Sequence, residues 1–367
     1  MKFCIVLSTR PEIIKLSPLI NKLTAKKDKF YLINTNQHFL NNMSKVFFDF
    51  FKIKGKMYNI NPSKKSQVFF FSDSVKMIEK ILKNNTPNFL IVQGDTNTGL
   101  AGCMAASLVN RNLEKKHKIK IVHIEAGLRS FDNTMPEEIN RKIIDQMSDI
   151  LFPPTKFDFN NLKKDNCLKY KKVFIVGNTI SDVLKKYIPV TKKVEILNKL
   201  NITKKKYFLV TLHRPESVDI KKNLSSLFKT FKALHKKYDY PIIFPIHPRT
   251  KDKIKKLKLS FDRSIKIIEP LEYLEFLKLM KDSKLILSDS GGLQEEASIL
   301  GVPCITLRTT TERQITVIRN VNIIAGYNHD KILRAVKKFH NKKIKKIKDF
   351  GNGDVANKIY KIITSYK

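Results

Sequence analysis

Short apolar runs alternate with longer mixed segments along nearly the whole chain, and this alternation limits the fold more than any other feature. The runs are FCIVLS (3–8), FYLIN (30–34), NFLIVQ (88–93), KIVHIE (120–125), ILFPP (150–154), VFIVG (173–177), YFLVTL (207–212), PIIFPI (241–246), IKIIE (265–269), LILSD (285–289), VPCITL (302–307) and VNIIAG (321–326). Between them lie helix-like segments such as PEIIKLSPLINKL, PEEINRKIIDQMSD and LQEEASILG. Strand–helix alternation predicts parallel sheets covered by helices on both faces. A dozen strands exceed one ordinary sheet, and 367 residues are enough for two large domains. The expected fold class is therefore α/β, with two doubly wound domains facing a central cleft. Polar, Lys-rich stretches at 156–172 and 183–206 are the linker candidates. They place an N-terminal domain over 1–169 and a C-terminal domain over 170–349, with the last helix, 350–367, rejoining the first domain.

In open parallel sheets, ligands bind beyond the carboxyl ends of the strands. The loops there read STRPE (8–12), NQH (36–38), QGDTNTG (93–99), HIEAGLRS (123–130), GNT (177–179), LHRPES (212–217), IHPRT (246–250), SDSGGLQEE (288–296) and LRTTTERQ (307–314). Many of them combine a carboxylate, His or Arg with Gly, Ser or Thr. One such loop is ordinary; nine of them point to a cleft.

Asp289-Ser290-Gly291-Gly292 ends a strand and opens a helix. Glycines let an oxyanion approach the backbone, and a helix N-terminus supplies free N–H groups and positive dipole. That suits a diphosphate, and the local alternative is a tight turn with Ser290 as helix N-cap. Glu296 sits where it can accept from vicinal ribose hydroxyls; the alternative for Glu295 and Glu296 is complementarity to the dipole. His213-Arg214 pairs a titrating group with a phosphate-type fork. Asp95, Glu125 and Glu137 form an acid set, with Arg141 one turn beyond Glu137. If the three carboxylates converge, mutual repulsion raises at least one pKa and yields a general acid beside a general base; the alternative is separate caps and ion pairs. Neither GxGxxG nor a phosphate-loop GxxxxGK[ST] occurs, and no metal-ligand spacing is present.

The formal net charge is +38, which by itself suggests nucleic acid or an anionic membrane. Its distribution argues otherwise. There are 60 lysines and 11 arginines. No Lys lies between Lys83 and Lys115, Lys120 and Lys142, Lys206 and Lys221, Lys237 and Lys251, or Lys284 and Lys331. Lys suits a solvated face, whereas Arg is the fork for phosphate and carboxylate. The lysines thus read as surface, and the windows without them as interior and site. With 42% hydrophobic residues the chain is not disordered. No apolar run reaches the ~20 residues of a membrane span, and the N-terminus reads as a strand, not a signal peptide. Cys4, Cys103, Cys167 and Cys304 are scattered, as reduced thiols of a cytoplasmic protein are.

The ordered blocks TRPEIIKLSPLI, NQHF, VQGDTNT, HIEAGLRSFDNTMPEEINR, GNTISD, TLHR, IHPRT, EPLEYLEF, SDSGGLQEEASILGVPCITLR and TER, followed by GYN, span residues 9 to 328. Together they resemble the non-hydrolysing UDP-N-acetylglucosamine 2-epimerases. The resemblance implies two Rossmann-like domains of the GT-B kind, a homodimer, and no metal or other cofactor. It implies a UDP-sugar substrate, no nucleic acid and no membrane insertion, with a product that feeds polysaccharide building. The implied reaction is C2 inversion of UDP-GlcNAc to UDP-ManNAc, by anti elimination of UDP through 2-acetamidoglucal. Asp95, Glu125 and Glu137 are then the acid/base carboxylates and His213 assists near the diphosphate. Arg10, Ser290, Gly291, Gly292, Glu296 and Arg313 hold the nucleotide, with Lys15, Arg141, Asn178 and Phe276 as further substrate contacts.

The chain departs from the family pattern at Ser8 (usually Gly), at Gln314-Ile315 (usually Pro-Glu) and at Ser217 (usually Asn). The acids and His213 remain, so the departures bear on substrate decoration more than on reaction type. The stretch NQHFLNNMSKVFF lacks the Gln/Arg-rich pattern of members activated by their own substrate. Rival readings are the same chemistry on a UDP-2,3-diacetamido-uronic acid, a hydrolysing 2-epimerase, a GT-B glycosyltransferase and a basic nucleic-acid binder.

Overall fold

The computed structural model describes residues 1–36, 41–257 and 264–366. Gln37 and His38 of the NQH loop, and Phe39 beside them, lie outside the described residues.

The twelve apolar runs and one further segment form thirteen described strands: β1 (Lys2–Leu7), β2 (Lys29–Asn34), β3 (Lys56–Asn59), β4 (Phe89–Gln93), β5 (Lys120–Ile124), β6 (Ile150–Phe152), β7 (Lys172–Val173), β8 (Phe208–Thr211), β9 (Ile242–Pro245), β10 (Ile265–Ile268), β11 (Leu285–Ser288), β12 (Cys304–Thr306) and β13 (Asn322–Ile324). They make two sheets, ordered β3-β2-β1-β4-β5-β6-β7 and β10-β9-β8-β11-β12-β13. The paired strands run parallel, for example Ile5 opposite both Leu32 and Ile91, and Ile286 opposite both Leu209 and Cys304. Each sheet starts in its middle and winds outward in both directions, which is what right-handed crossovers through helices produce when the winding reverses once.

The strand missing from the sequence reading is β3, KMYN. It is an edge strand, half-exposed and half-polar, so its run carries little apolar signal. The run VFIVG yields only the short strand Lys172–Val173, although the Phe174 and Val176 N–H groups still donate to the Leu151 and Pro153 carbonyls.

Contacts divide the chain into two units, Met1–Val183 with Asp349–Lys367, and Leu184–Lys348. This differs from a boundary near 170. Residues 170–183 stay with the first unit because β7 pairs with β6 and the Asn178 N–H donates to the Phe350 carbonyl at 2.8 Å. The helix Val355–Thr364 packs on the helix Arg10–Ala25. Its first N–H groups, on Val355 and Ala356, donate to the Asp182 carboxylate at 3.0 and 3.2 Å.

Each unit has its own core. In the first, Val6, Ile33, Leu90 and Val92 meet Ile78, Ala101, Ala105 and Ile144. In the second, Val210, Phe244, Leu287 and Ile305 meet Leu227, Phe231 and Val336. All four cysteines are free and buried. Among the described residues no helix is long and apolar enough to cross a membrane, and no His, Cys, Asp or Glu group of metal-binding size assembles. Among the described residues Lys15 is the buried lysine, 4% exposed, and it lies in the first unit's site.

Candidate active site

In the first unit the strand order reverses between β1 and β4, so the loops after these strands splay apart and open a crevice. Glu12 joins the two loops. Its Oε2 accepts the N–H groups of Ser8 and Thr9 at 3.0 and 2.7 Å, and its Oε1 accepts the Thr96 hydroxyl at 2.7 Å. Burial pushes this carboxyl above its ordinary value, against the pull of these hydrogen bonds. Glu12 and Thr9 form a capping box that starts the helix Arg10–Ala25. That helix carries Arg10 at its start, with the guanidinium 4.6 Å from the Phe47 ring centre, and Lys15 one turn further on.

Glu125 follows β5 directly, with φ at +69°. A non-glycine residue there costs on the order of 1–2 kcal/mol and persists only where its surroundings hold it. Here they do. Lys15 Nζ donates to Oε1 at 2.5 Å, Asn178 Nδ2 donates to the same oxygen at 2.6 Å, and Gln93 Nε2 donates to Oε2. The carboxylate is 3% exposed. Gly94, next to Asp95, lies beside it: a Cβ there would sit 3.7 Å from Oε2.

Asp95 Oδ2 accepts from Arg141 Nη2, whose Nη1 binds Glu138 Oε2. Glu138 is fully buried and also takes the Ser130 N–H and hydroxyl at 2.9 and 2.8 Å. The Asp95 carbonyl accepts from Asn140 Nδ2 at 3.0 Å. Glu137 stands half-buried in the first turn of the helix Pro136–Met147.

Two carboxylates of the expected acid set are paired with cations, Glu125 with Lys15 and Asp95 with Arg141. Lys15, Asn178 and Arg141, expected as substrate contacts, spend donors on the carboxylates themselves. Lysines avoid burial unless a partner takes the charge, and Glu125 is that partner.

The second unit repeats the plan. Its order reverses between β8 and β11, and Asp289 joins their loops. Asp289 Oδ2 accepts the N–H groups of His213 and Arg214, both at 2.9 Å, while Oδ1 lies 2.9 Å from His213 Nδ1. Burial pushes the Asp289 carboxyl up, but the facing His213 imidazole and the two N–H groups outweigh it and bring it down to about 2. This turns Nδ1 towards the carboxylate and leaves Nε2 of a side chain 39% exposed for a ligand.

A carboxyl near 2 in the fold and near 3.9 when unfolded stabilises the protein at neutral pH. It gives up that contribution, about 2 kcal/mol, as pH falls from about 4 towards 2. Thermal unfolding across this range should show a steep acid limb in the native protein and a flatter one in Asp289→Asn. Parallel curves would rule out this source of acid sensitivity.

Ser290 is the N-cap of the helix Gly291–Leu300 by position, but its side chain makes no cap bond. A Cβ on Gly291 would fall 2.2 Å from Glu312 Oε1, so a side chain is excluded there. Arg313, expected on the nucleotide, is 7% exposed. Its Nε donates to Glu295 Oε1 at 2.9 Å and its Nη1 lies 2.9 Å from Glu312 Oε1. Arg308 adds a contact to Glu312 Oε2 at 3.0 Å. Glu295 is therefore an ion-pair partner rather than a dipole charge, whereas Glu296 and Gly292 are half-buried on the opening turns. Phe276 is half-buried in the helix Tyr273–Asp282.

Glu12, Gln93, Glu138 and Glu312 are not singled out by the sequence as site residues, and Asp289 stands there only as part of the strand-end motif, without a role of its own. Glu12 had a readable signal in Thr9-x-x-Glu12, and Asp289 one in its place at a strand end. The others act through partners far away in the chain, which spacing does not reveal.

The family model for UDP-N-acetylglucosamine 2-epimerase matches residues 21–364. A UDP-N-acetylglucosamine 2-epimerase of Methanococcus maripaludis is 47% identical, covering 100% of this chain and 99% of that protein. A UDP-2,3-diacetamido-2,3-dideoxy-D-glucuronate 2-epimerase of Pseudomonas aeruginosa is 33% identical over 98% of each. The crystal structure of Methanocaldococcus jannaschii UDP-GlcNAc 2-epimerase, in complex with UDP-GlcNAc and UDP, superposes with a TM-score of 0.90 at 44% identity, covering 100% of both chains.

Proposed function

The chain belongs to the UDP-N-acetylglucosamine 2-epimerase family and is an isomerase; from that premise we propose that it interconverts UDP-GlcNAc and UDP-ManNAc by eliminating and re-adding UDP. One observation carries the reading: two carboxylates stand just beyond adjacent strands, each beside a cation, Asp95 with Arg141 and the buried Glu125 with Lys15, and Gln93 and Asn178 add neutral donors to Glu125.

Inversion at C2 needs the proton removed from one face and returned to the other. In the forward step a carboxylate takes the C2 proton, the electron pair forms the C1=C2 bond, and the C1–O bond breaks with its electrons going to UDP. The product pair is 2-acetamidoglucal and UDP. In the return step C2 is protonated from the opposite face and the UDP oxygen bonds C1. Asp95, Glu125 and Glu137 handle the proton. Lys15, Gln93 and Asn178 keep Glu125 in one orientation, which a transfer at carbon requires.

The departing diphosphate gains negative charge as the bond breaks. His213 Nε2, the Ser290 hydroxyl and the opening N–H groups at Gly291 and Gly292 are suited to receive it. Asp289 fixes the His213 ring for that contact, as a carboxylate does in other His-dependent sites. Arg10 serves the same charge, Glu296 the ribose hydroxyls and Phe276 the nucleoside. Arg313 acts on the nucleotide through Glu295 and Glu312. The enzyme works as a homodimer and needs no metal or other cofactor.

The 47% identity to a UDP-GlcNAc 2-epimerase, against 33% to the diacetamido-uronate enzyme, favours the simpler sugar.

The test is one incubation with UDP-GlcNAc in D2O, followed by proton NMR. The expected result is UDP-ManNAc carrying deuterium at C2. Free ManNAc with stoichiometric UDP would mean a hydrolysing enzyme. UDP-ManNAc without deuterium would exclude proton exchange at C2.

A further inference from the structure

His123 lies on β5, two residues before Glu125, and is fully buried. Both of its ring nitrogens face an acceptor. Nε2 is 2.8 Å from the carbonyl of Gly94, and Nδ1 is 2.8 Å from Asp145 Oδ1. A carbonyl cannot donate, so Nε2 carries a proton. An ionised carboxylate cannot donate either, so Nδ1 carries the other.

Asp145 has every reason to be ionised. Burial pushes its carboxyl up, but His123 and Arg129 outweigh that and hold it below its ordinary value. Arg129 Nη2 lies 2.8 Å from Oδ2, and the Gly127 N–H donates to the same carboxylate at 3.2 Å. Arg129 Nε in turn donates to Asp165 Oδ2 at 2.7 Å. His123, Asp145 and Arg129 are buried and Arg129 reaches out to the exposed Asp165, so the buried charges meet opposite charges, the form in which they are tolerated. The other titratable groups that feel the Asp145 charge are Cys103, Cys167 and Lys171. Burial pushes the two thiols up, which keeps them neutral.

The consequence falls on the Gly94 carbonyl. Gly94 has φ at +72° and immediately precedes Asp95. We propose that His123 is held as an imidazolium and serves as a positioning residue: its Nε2–H grips the Gly94 carbonyl and so aims Asp95 at the reacting carbon. A charged donor binds a carbonyl about twice as strongly as a neutral one. The same Asp145 that charges His123 also holds the Gly127 N–H just beyond Glu125, so one buried carboxylate steadies the backbone of both acid-bearing loops. The inference rests on the acid/base role of Asp95 proposed above.

Two measurements test it. The first is nitrogen NMR of the native protein labelled at histidine. His123 should show two protonated ring nitrogens under the assay conditions. An unprotonated ring nitrogen there would overturn the charged form. The second is the kinetics of His123→Gln with UDP-GlcNAc. Glutamine cannot satisfy both acceptors, so kcat should fall about 100-fold, while KM and the affinity for UDP stay within about twofold. A folded His123→Gln protein with native kcat, or with its loss in KM alone, would overturn the positioning role. If the variant does not fold, the NMR result on the native protein decides. If the native enzyme itself makes no UDP-ManNAc, the proposed function fails, while the protonation state of His123 is still read.

Discussion

Asp95→Asn should lower kcat for UDP-GlcNAc epimerisation by about 10³-fold with little change in thermal stability. Asparagine preserves the shape of the side chain and loses the basic oxygen. Arg141 is not stranded by the change, because Glu138 Oε2 still takes its Nη1. The backbone bond from Asn140 Nδ2 to the Asp95 carbonyl is unaffected. The loss therefore reports on proton transfer and not on a collapsed loop. It is read from initial rates beside a melting curve, with deuterium wash-in at C2 as a partial-reaction check. Near-native turnover would remove Asp95 from the acid set.

The second large effect concerns the buried pair at Glu125. Glu125→Gln leaves the Lys15 ammonium buried without its carboxylate, and Lys15→Met leaves the carboxylate without its cation. Each single change should cost about 3–5 kcal/mol of stability, the usual penalty for an uncompensated buried charge. The double change Lys15→Met with Glu125→Gln removes both charges. It should recover most of that stability, because the desolvation cost of the pair disappears too. Activity should not return in the double variant, since the carboxylate it lacks is one of those that handle the proton. Denaturant unfolding of the four proteins gives the coupling energy. A double variant as unstable as the sum of the singles would show that the two charges do not act as a pair.

Part of this was legible early. Continuous apolar runs such as YFLVTL and LILSD mark buried parallel strands, and the polar loops behind them mark ligand-binding ends. Asp95, Glu125, His213 and Ser290 stand out this way, and each lies just beyond a strand end in the structure. The readings that shifted were those of side chains whose partners are distant in sequence. Lys15 and Asn178 look like substrate contacts along the chain, yet both donate to Glu125 across separations of 110 and 53 residues. Arg313 looks like a phosphate fork, yet two buried carboxylates take it. The four-residue strand KMYN escaped because an edge strand need not be apolar.

Local pattern alone decided the element types, their order and hence the doubly wound class, because burial in a parallel sheet and cover by helices impose their periods on the sequence. It also decided which loops carry reactive groups, and that the +38 charge is mostly lysine outside those loops. Only the tertiary structure decided which donor meets which carboxylate. It alone showed that His123 and Arg129 meet Asp145 in the interior, with Arg129 reaching on to Asp165, and that Asp289 faces the Nδ1 side of His213. The reason is physical: secondary structure answers to neighbours a few residues away, whereas desolvating a charge requires a partner in space, and its place in the chain leaves no periodic trace.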